Sequence, residues 1–305
     1  MDEKLKEITI DNKELFDSFF KTVNDPIADL TFAMRLIWAE PVKHTWTIIN
    51  DHLCVFGFLR GKHVIWGPIL PSKNNGKFNE TLERCFQTVE KLNSHQGIHE
   101  KPLAIYIPES LKAQYQDIDG TSFSNWTQDY VYEITSLIGL AGKQFQSKRR
   151  ELNIFTRNSG IEVEHYDFSK HGSGCSELID DWKNQKDAPE AEQNEDVTLE
   201  YGAAKRLITF SSLLPIEGVV AKIHGKIIGL ALGEKLTSDT ASKIIQKNDF
   251  SIRGSSDFVF REYAKHFENL KFLDAQDDFC LESLKRTKMS YNPAKLIKSY
   301  SLEKK

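Results

Sequence analysis

The second half of the chain consists of short apolar runs and helically spaced segments that are separated by turn residues. Residues 161–166 alternate between apolar and polar positions, as expected of a strand. Three further runs are predicted as strands, and His224-Gly225 between the first two is a two-residue hairpin signal. Apolar residues then recur at helical spacing. The pattern predicts three antiparallel strands, a helix, a strand, a last helix and a tail, at 218–223, 226–236, 241–247, 257–270, 271–275, 281–288 and 289–302.

The first half repeats this order more loosely. In the second half, two helices are also predicted before the strands, at 143–158 and 198–213, because apolar residues recur there at helical spacing. The corresponding elements of the first half are a helix, three strands, a helix and a strand, at 27–38, 46–50, 53–60, 63–70, 80–92 and 103–107. We therefore predict an α+β protein of two tandem copies, each a mixed, mostly antiparallel sheet flanked by helices. The expected domains are residues 1–140 and 141–305.

Composition narrows the class of protein. The 305 residues are 40% hydrophobic and 28% charged, which is typical of a globular protein. No apolar run approaches the roughly 18 residues of a membrane helix, and the charged N-terminus lacks the apolar core of a secretory signal. Four cysteines lie far apart without a CxxC pair, which argues against a disulfide scaffold or a zinc finger. We expect a cytoplasmic protein.

Several kinds of chemistry find no support in the sequence. The nine histidines show no HExxH or other ligand spacing, so we expect no metal site. GxSxG and P-loop motifs are missing as well, which leaves serine hydrolysis and nucleotide hydrolysis unsupported.

Charge limits the choice of partners. The formal net charge is -4, whereas nucleic-acid-binding proteins are usually basic overall. We expect no DNA partner, and an RNA or an anionic membrane surface must meet a local basic patch. Lys148, Arg149 and Arg150 form a compact cationic run that is suited to RNA phosphates or anionic head groups. The alternative is a solvated helix face.

The loop at 248–256 leads directly into a predicted helix. A helix N-terminus presents unpaired N–H groups and the positive end of the helix dipole, which together favour an anion. Ser255 or Ser256 can cap the helix, and Arg253 adds positive charge. Gly254 is the single glycine of this loop, so an ordinary loop with an N-cap remains the alternative.

The element order, and the motifs that accompany it, resemble known families. Helix, three antiparallel strands, loop, helix, strand and helix is the order of the GNAT-type acyltransferases. Five segments are similar to the soluble relatives of the catalytic C-terminal domain of phosphatidylglycerol lysyltransferase: 30–38, 129–132, 140–155, 227–234 and 284–293. The resemblance covers nearly the whole chain.

This resemblance implies a function. It predicts a tandem acyltransferase fold that moves an aminoacyl group from aminoacyl-tRNA to a lipid head group or another small acceptor, with no tightly bound cofactor. Acyl-CoA is the alternative donor. The chain departs from the family pattern at Arg150, Gln246, Ser256, Phe260 and Gln276. A non-catalytic binding protein on the same fold is therefore a second hypothesis.

The candidate site residues combine this resemblance with simple chemistry. Asp278 and Glu234 are candidate carboxylates for proton transfer or for orienting an amino group, although Glu234 could simply face solvent. Lys288 could polarise an ester carbonyl or serve only the helix dipole. The predicted donor-binding residues form a positive groove beside the loop: Lys148, Arg149, Lys247, Arg253 and Lys288, with Gly254, Ser255, Ser256 and Tyr291. The basic-aromatic segment 295–300 suggests a membrane contact.

Overall fold

The computed structural model describes residues 4–23, 27–73, 76–186 and 195–305. The chain forms two compact units. The first contains Met1–Gln128 together with Ile297–Lys305, and the second contains Asp129–Leu296. Within the described residues, no helix is long and apolar enough to cross a membrane.

The first unit is built on one mixed sheet. Its strands are ordered β1-β2-β3-β4-β6-β13, and only β4 and β6 pair in parallel. A short strand, β5, pairs with β3. The strands are β1 Lys6–Glu7, β2 Thr45–Ile49, β3 His52–Leu59, β4 Lys62–Trp66, β5 Leu70–Pro71, β6 Leu103–Pro108 and β13 Lys295–Lys304, and the helices are α1 Lys13–Phe20, α2 Phe32–Trp38, α3 Phe78–Ser94 and α4 Lys112–Tyr115.

Helix α3 covers one face of this sheet. Its buried Leu82, Cys85, Phe86 and Val89 recur at i, i+3, i+4 and i+7, which places them on a single stripe. The stripe packs against side chains from β3, β4 and β6 in one hydrophobic cluster that includes Ile65. Because side chains alternate along a strand, the neighbours of these strand residues point to the opposite face.

The second unit repeats the plan. Its strands are ordered β7-β12-β11-β10-β9-β8, with β7 contributing from Asp129 onward, and among the described pairings β11 and β12 are parallel. The strands are β7 Thr121–Glu133, β8 Ile161–His165, β9 Glu217–Ile223, β10 Lys226–Lys235, β11 Thr240–Asn248 and β12 Phe272–Asp274, and the helices are α5 Ile134–Gly139, α6 Gln146–Phe155, α7 Phe168–Lys186, α8 Glu195–Phe210, α9 Ser255–His266 and α10 Glu282–Met289.

Helix α9 takes the place of α3 in this unit. Its buried Val259, Phe260 and Tyr263 join Ala241 of β11 and Leu273 of β12 in one core cluster. Helices α7 and α8 lie on the opposite face, where Trp182 and Glu200 meet a side chain of β11. The sheet of the second unit is therefore covered on both faces.

The predicted α+β class and the tandem order are confirmed. In both units a three-stranded meander leads into a long helix and then into a strand that pairs in parallel with the third strand. The strand that completes each sheet comes from the other half of the chain, since β13 pairs with β6 and β7 pairs with β12. The predicted boundary at residue 140 is based on the repeated order of elements in the sequence, and it stays a prediction.

The tail predicted at 289–302 is wrong, because most of it forms strand β13. Ser299, Tyr300, Ser301 and Leu302 are all buried, and the alternating Tyr300 and Leu302 join the core cluster under α3. The Tyr300 hydroxyl donates to Glu109. The membrane contact proposed for this segment stays a prediction.

Candidate functional site

The parallel strands β11 and β12 diverge in the middle of the second unit's sheet. Their register ends at the pair Ser242 and Asp274. Beyond it, the N–H of Ala275 donates to the carbonyl of Tyr130 on β7 at 3.0 Å, whereas β11 continues against β10 as far as Asn248. Beyond Ser242 the edge of β11 on the β12 side therefore has no strand partner among the described residues, and we call this gap between the two strands the opening.

A β-bulge decides which side chains line this opening. Gly233 pairs with Lys243 while Leu232 pairs with Ile245, so Ile244 is the extra residue. A bulge reverses the alternation downstream of it. Lys243 consequently faces α9, while Lys247 points to the opposite face, where its Nζ lies 3.3 Å from the centroid of the Trp182 ring.

Lys243 lies on the α9 side of the opening. Its Nζ donates to Gln246 Oε1 at 3.2 Å and lies 4.8 Å from the centroid of the Phe260 ring. Burial of the ammonium, reinforced by repulsion from Lys288 and Lys247, lowers the pKa of Lys243 to about 7. A lysine with such a pKa is partly neutral at physiological pH, so it can accept a proton.

Lys148, Asp257 and Tyr291 form a compact group at the start of α9. Lys148 Nζ is 3.1 Å from Asp257 Oδ1 and 3.9 Å from the centroid of the Tyr291 ring. The Tyr291 hydroxyl donates to the same carboxylate. The structure therefore brings together two of the predicted donor-binding residues, and an aspartate that the sequence marked only as a helix start connects them.

The loop before α9 is shaped by packing against α6. Gly254 has φ +80°, and a Cβ on it would lie 2.3 Å from the carbonyl oxygen of Glu151. Arg253 makes a bidentate ion pair with the Glu151 carboxylate at 2.8 and 2.7 Å. Ser255 donates to the carbonyl of Asp249, and Gln246 donates to Ser256. The glycine is thus required by the approach of α6, whether or not an anion binds.

Lys288 holds the loop that follows β12. Its Nζ donates to the carbonyls of Ala275 at 2.6 Å and Gln276 at 3.0 Å, and also to that of Asp277. An ammonium has three N–H donors, so this set uses all of them. Three residues of the loop other than glycine have positive φ: Gln276, Phe279 and Cys280. We infer that Lys288 acts as a positioning residue that stabilises this conformation.

Buried carboxylates surround this lysine. The Tyr130 hydroxyl donates to Asp278 at 2.5 Å, and the N–H of Cys280 donates to the other oxygen of the same carboxylate. Asp274 is fully buried, and this burial raises its pKa well above the ordinary value for an aspartate. Burial also lowers the pKa of Lys288, although the nearby carboxylates, Asp277 first, oppose the shift.

Three buried polar residues form a row across neighbouring strands. Glu234 of β10 pairs with Ser242 of β11, which pairs with Asp274 of β12. Residues in register share one face of a sheet with Cβ atoms roughly 5 Å apart, and this face is opposite α9. Ser242 Oγ and Asp274 Oδ2 have no hydrogen-bond partner among the described residues. A buried row of two carboxyl groups and a hydroxyl is suited to bind an ammonium group.

The predicted positive groove is not formed as one surface. Arg149 donates to the carbonyls of Leu140 and Gly142. Lys247 pairs with Glu200 on the face of the sheet opposite α9. Lys288 donates to three carbonyls of the loop after β12. The bulge in β11 explains why the Lys247 side chain faces away from α9. The donor-binding role of each of these cations, and the catalytic roles of Asp278, Lys288 and Glu234, stay predictions.

The sequence did not single out Lys243, Asp257, Ser242 and Asp274. Simple alternation placed Lys243 and Lys247 on one face, and only the bulge separates them. Asp274 lies within the strand predicted at 271–275, but its register with Ser242 depends on strand pairing. No group of three histidine, cysteine or acidic residues in the described part of the chain could hold a metal ion.

Comparison with known proteins agrees with this architecture. The family model described as phosphatidylglycerol lysyltransferase, C-terminal, matches residues 20–303. A conserved protein of unknown function from Bacteroides thetaiotaomicron shares 20% identity, with 99% of this chain and 100% of that chain covered and a TM-score of 0.80. The structure of L-PGS from Bacillus licheniformis shares 13% identity over 95% and 91% of the two chains, with a TM-score of 0.60. An uncharacterised protein of Mycoplasmoides gallisepticum is 26% identical over 78% of this chain and 74% of its own length.

The tandem α+β fold, with one parallel strand pair in each mostly antiparallel sheet, defines the structural class of the protein. Within that class, the chain belongs to the family of the phosphatidylglycerol lysyltransferase C-terminal domain. The family and the fold indicate a transferase; they leave the donor and the acceptor to be argued from the residues of this chain.

Proposed function

We propose that this protein transfers an aminoacyl group from aminoacyl-tRNA to the hydroxyl or amine of a lipid head group or another small acceptor. The observation that carries the proposal is the buried row Glu234, Ser242 and Asp274 beside the strand opening. An aminoacyl group differs from a simple acyl group by its ammonium. Carboxyl groups at this position favour the aminoacyl donor over acyl-CoA.

The opposite side of the opening is suited to the carrier of the donor. The first turn of α9 leaves backbone N–H groups that no helix carbonyl accepts, and the helix dipole favours a phosphate there. Lys148 lies at the same helix end, paired with Asp257. A terminal nucleotide phosphate at α9 would direct its ester towards the opening.

The transfer step needs a proton acceptor, which we assign to Lys243. The acceptor hydroxyl or amine adds to the ester carbonyl carbon and passes its proton to the neutral Nζ. The tetrahedral intermediate then collapses and expels the ribose oxygen of the tRNA, which takes the proton back. Beyond Ser242, no described strand pairs with the β11 edge that faces β12, so backbone N–H groups on this edge are available to the oxyanion.

A direct test compares donors on the purified protein. Aminoacyl-tRNA carrying a radiolabelled amino acid is mixed with anionic phospholipid vesicles or small amines, and acetyl-CoA is offered in parallel. We expect turnover with aminoacyl-tRNA. Asp274→Asn and Glu234→Gln should each lower kcat/KM by about tenfold to a hundredfold, since each removes a charged hydrogen bond worth about 1.5–3 kcal/mol.

The controls separate the alternatives. Asp239→Asn changes an exposed turn carboxylate and should leave kcat/KM unchanged. Lys243→Met should lower kcat more than it raises KM, because the base acts in the chemical step. Turnover with acetyl-CoA and none with aminoacyl-tRNA would contradict the proposal.

One feature favours the non-catalytic binding protein as a second candidate. Gln246 and Ser256 both depart from the family pattern, and they hydrogen-bond to each other, with Gln246 Nε2 donating to the Ser256 hydroxyl and carbonyl. The substituted residues thus satisfy one another instead of a substrate. Measurable donor turnover under any of the conditions above eliminates this candidate.

A further inference from the structure

The first unit contains a buried polar group at the position where its own parallel strands end. Strand β4 pairs with β6 only through Ile65 and Trp66, and the N–H of Gly67 then donates to the carbonyl of Ile105. Beyond this point β5 pairs with β3, whereas β6 pairs with β13. The two strands therefore diverge just as β11 and β12 do in the second unit.

Arg35, His44 and Trp66 surround this point on the face opposite α3. They are 1%, 3% and 6% exposed, respectively. The His44 and Trp66 rings lie 4.6 Å apart, and a Cβ on Gly57 would meet both of them. A Cβ on Gly67 would lie 2.6 Å from Arg35 Nη2. The two glycines let the three side chains approach the sheet closely.

Each of the three side chains keeps one polar atom without a partner among the described residues: Arg35 Nε, His44 Nε2 and Trp66 Nε1. Arg35 Nη2 donates to Asp29 Oδ2 at 2.7 Å, which orients the guanidinium and leaves the Nε–H group. A buried donor without an acceptor is costly, so three such atoms in one cluster point to a ligand or to bound water.

The chemistry of the three atoms defines the ligand. Arg35 Nε and Trp66 Nε1 can only donate. His44 Nδ1 lies 3.4 Å from the carbonyl oxygen of Arg35, and a carbonyl only accepts, so Nδ1 carries the hydrogen and Nε2 is an acceptor. Burial and the nearby guanidinium lower the pKa of His44, which keeps the ring neutral. The cluster therefore offers two donors and one acceptor beside a cation.

We propose that Arg35, His44 and Trp66 form a second binding site, in the first unit, for a phosphate group that keeps at least one P–OH. The anionic oxygens accept from the guanidinium and the indole, and the P–OH group donates to His44 Nε2. The Asp29 side chain is 13% exposed, so the guanidinium end of the cluster lies near the surface. Inorganic phosphate and a phosphate monoester share this chemistry.

The test measures binding of defined anions to the full chain by isothermal titration calorimetry and thermal unfolding at pH 6. Inorganic phosphate should bind and raise Tm, and sulfate, which has no O–H group, should bind about tenfold more weakly. Methyl phosphate distinguishes the two sources: binding similar to that of inorganic phosphate indicates a monoester ligand, and exclusion of methyl phosphate indicates the free ion.

Two tryptophan variants make the test specific. Trp66→Phe removes one donor and keeps an aromatic ring, so phosphate affinity should fall by about tenfold. Trp46→Phe is the matched control, because the Trp46 indole already donates to the carbonyl of Glu7 at 3.1 Å; its phosphate affinity should equal that of the wild type. Arg35→Lys keeps the charge and loses the Nε–H group, and it should also weaken binding.

Three outcomes overturn the proposal. Phosphate could fail to bind the wild type at millimolar concentration, Trp66→Phe could bind as tightly as the wild type, or sulfate could bind as tightly as phosphate. Because Trp66→Phe is conservative, the proposal remains testable even if Arg35→Lys fails to fold.

Discussion

The two units place opposite chemistry at the same point of one fold. In each unit a parallel strand pair ends and its strands diverge, and a buried polar group lies on the face opposite the long helix. The first unit presents a guanidinium, an imidazole and an indole, whereas the second presents two carboxyl groups and a hydroxyl. The repeated backbone therefore places a buried polar group at the same point of each unit, and a few side chains set the charge of that group.

Replacing the cation beside each polar group, the half-buried Lys288 or the buried Arg35, should change stability by the largest amounts. Lys288 holds three carbonyls of a loop and is surrounded by carboxylates, whereas Arg35 has one partly exposed partner, Asp29. Lys288→Met should lower the free energy of unfolding by about 3–5 kcal/mol, because it leaves buried acceptors and charges uncompensated. Arg35→Met should cost less.

Urea unfolding measures both variants. Lys285→Met is the control on the same helix, since Lys285 is exposed, and it should shift stability by less than about 0.5 kcal/mol. An equal loss of unfolding free energy for Lys288→Met and Arg35→Met would show that the two cations contribute equally to stability. The predicted difference between the units would then be wrong.

The contributions of the two polar groups to the stability of the protein should also change with pH in opposite directions. Burial lowers the pKa of His44, so below about pH 6.5 the unfolded chain binds more protons there and stability falls as pH falls. Burial raises the pKa of Asp274. Between its unfolded pKa of about 4 and its raised pKa, the folded chain binds more protons, so stability falls as pH rises.

Variants isolate each contribution. His44→Gln should flatten the loss of stability on the acid side, and Asp274→Asn should flatten the loss between about pH 4 and neutrality. One proton contributes at most about 1.4 kcal/mol per pH unit. Urea midpoints at half-unit pH intervals provide the measurement. A slope difference of the same sign for both variants would contradict the assignment.

Much of the fold could be predicted from the sequence because local signals agreed with it. The hairpin at His224-Gly225, the three strands around it and the α9 helix all follow from short apolar runs, turn residues and helical spacing. Strand β13 was missed although residues 299–302 alternate between polar and apolar, because its partner β6 lies far away in the sequence and no hairpin turn announces the pairing.

The candidate site was harder to predict for physical reasons. A single bulge reverses the faces of Lys243 and Lys247, and no local pattern marks a bulge. Arg35 stands in an apolar helix, where a charged residue suggests a solvent-facing side chain, yet it is among the most buried residues of the chain. Register and burial depend on the tertiary fold, which alone brings the rows of polar residues together.

The smallest expected effect concerns the one predicted donor-binding cation that is well exposed. The Arg253 side chain is 61% exposed in its ion pair with Glu151, and exposed pairs contribute about 0–1 kcal/mol. Arg253→Ala should therefore leave the urea midpoint nearly unchanged, so a change in donor affinity would report binding alone. If Arg253 contacts the tRNA phosphates, Kd for tRNA should rise several-fold and its salt dependence should become shallower. Arg157→Ala, at an exposed arginine just after α6, is the matched control, and an equal loss for both would indicate a diffuse charge effect without a specific contact.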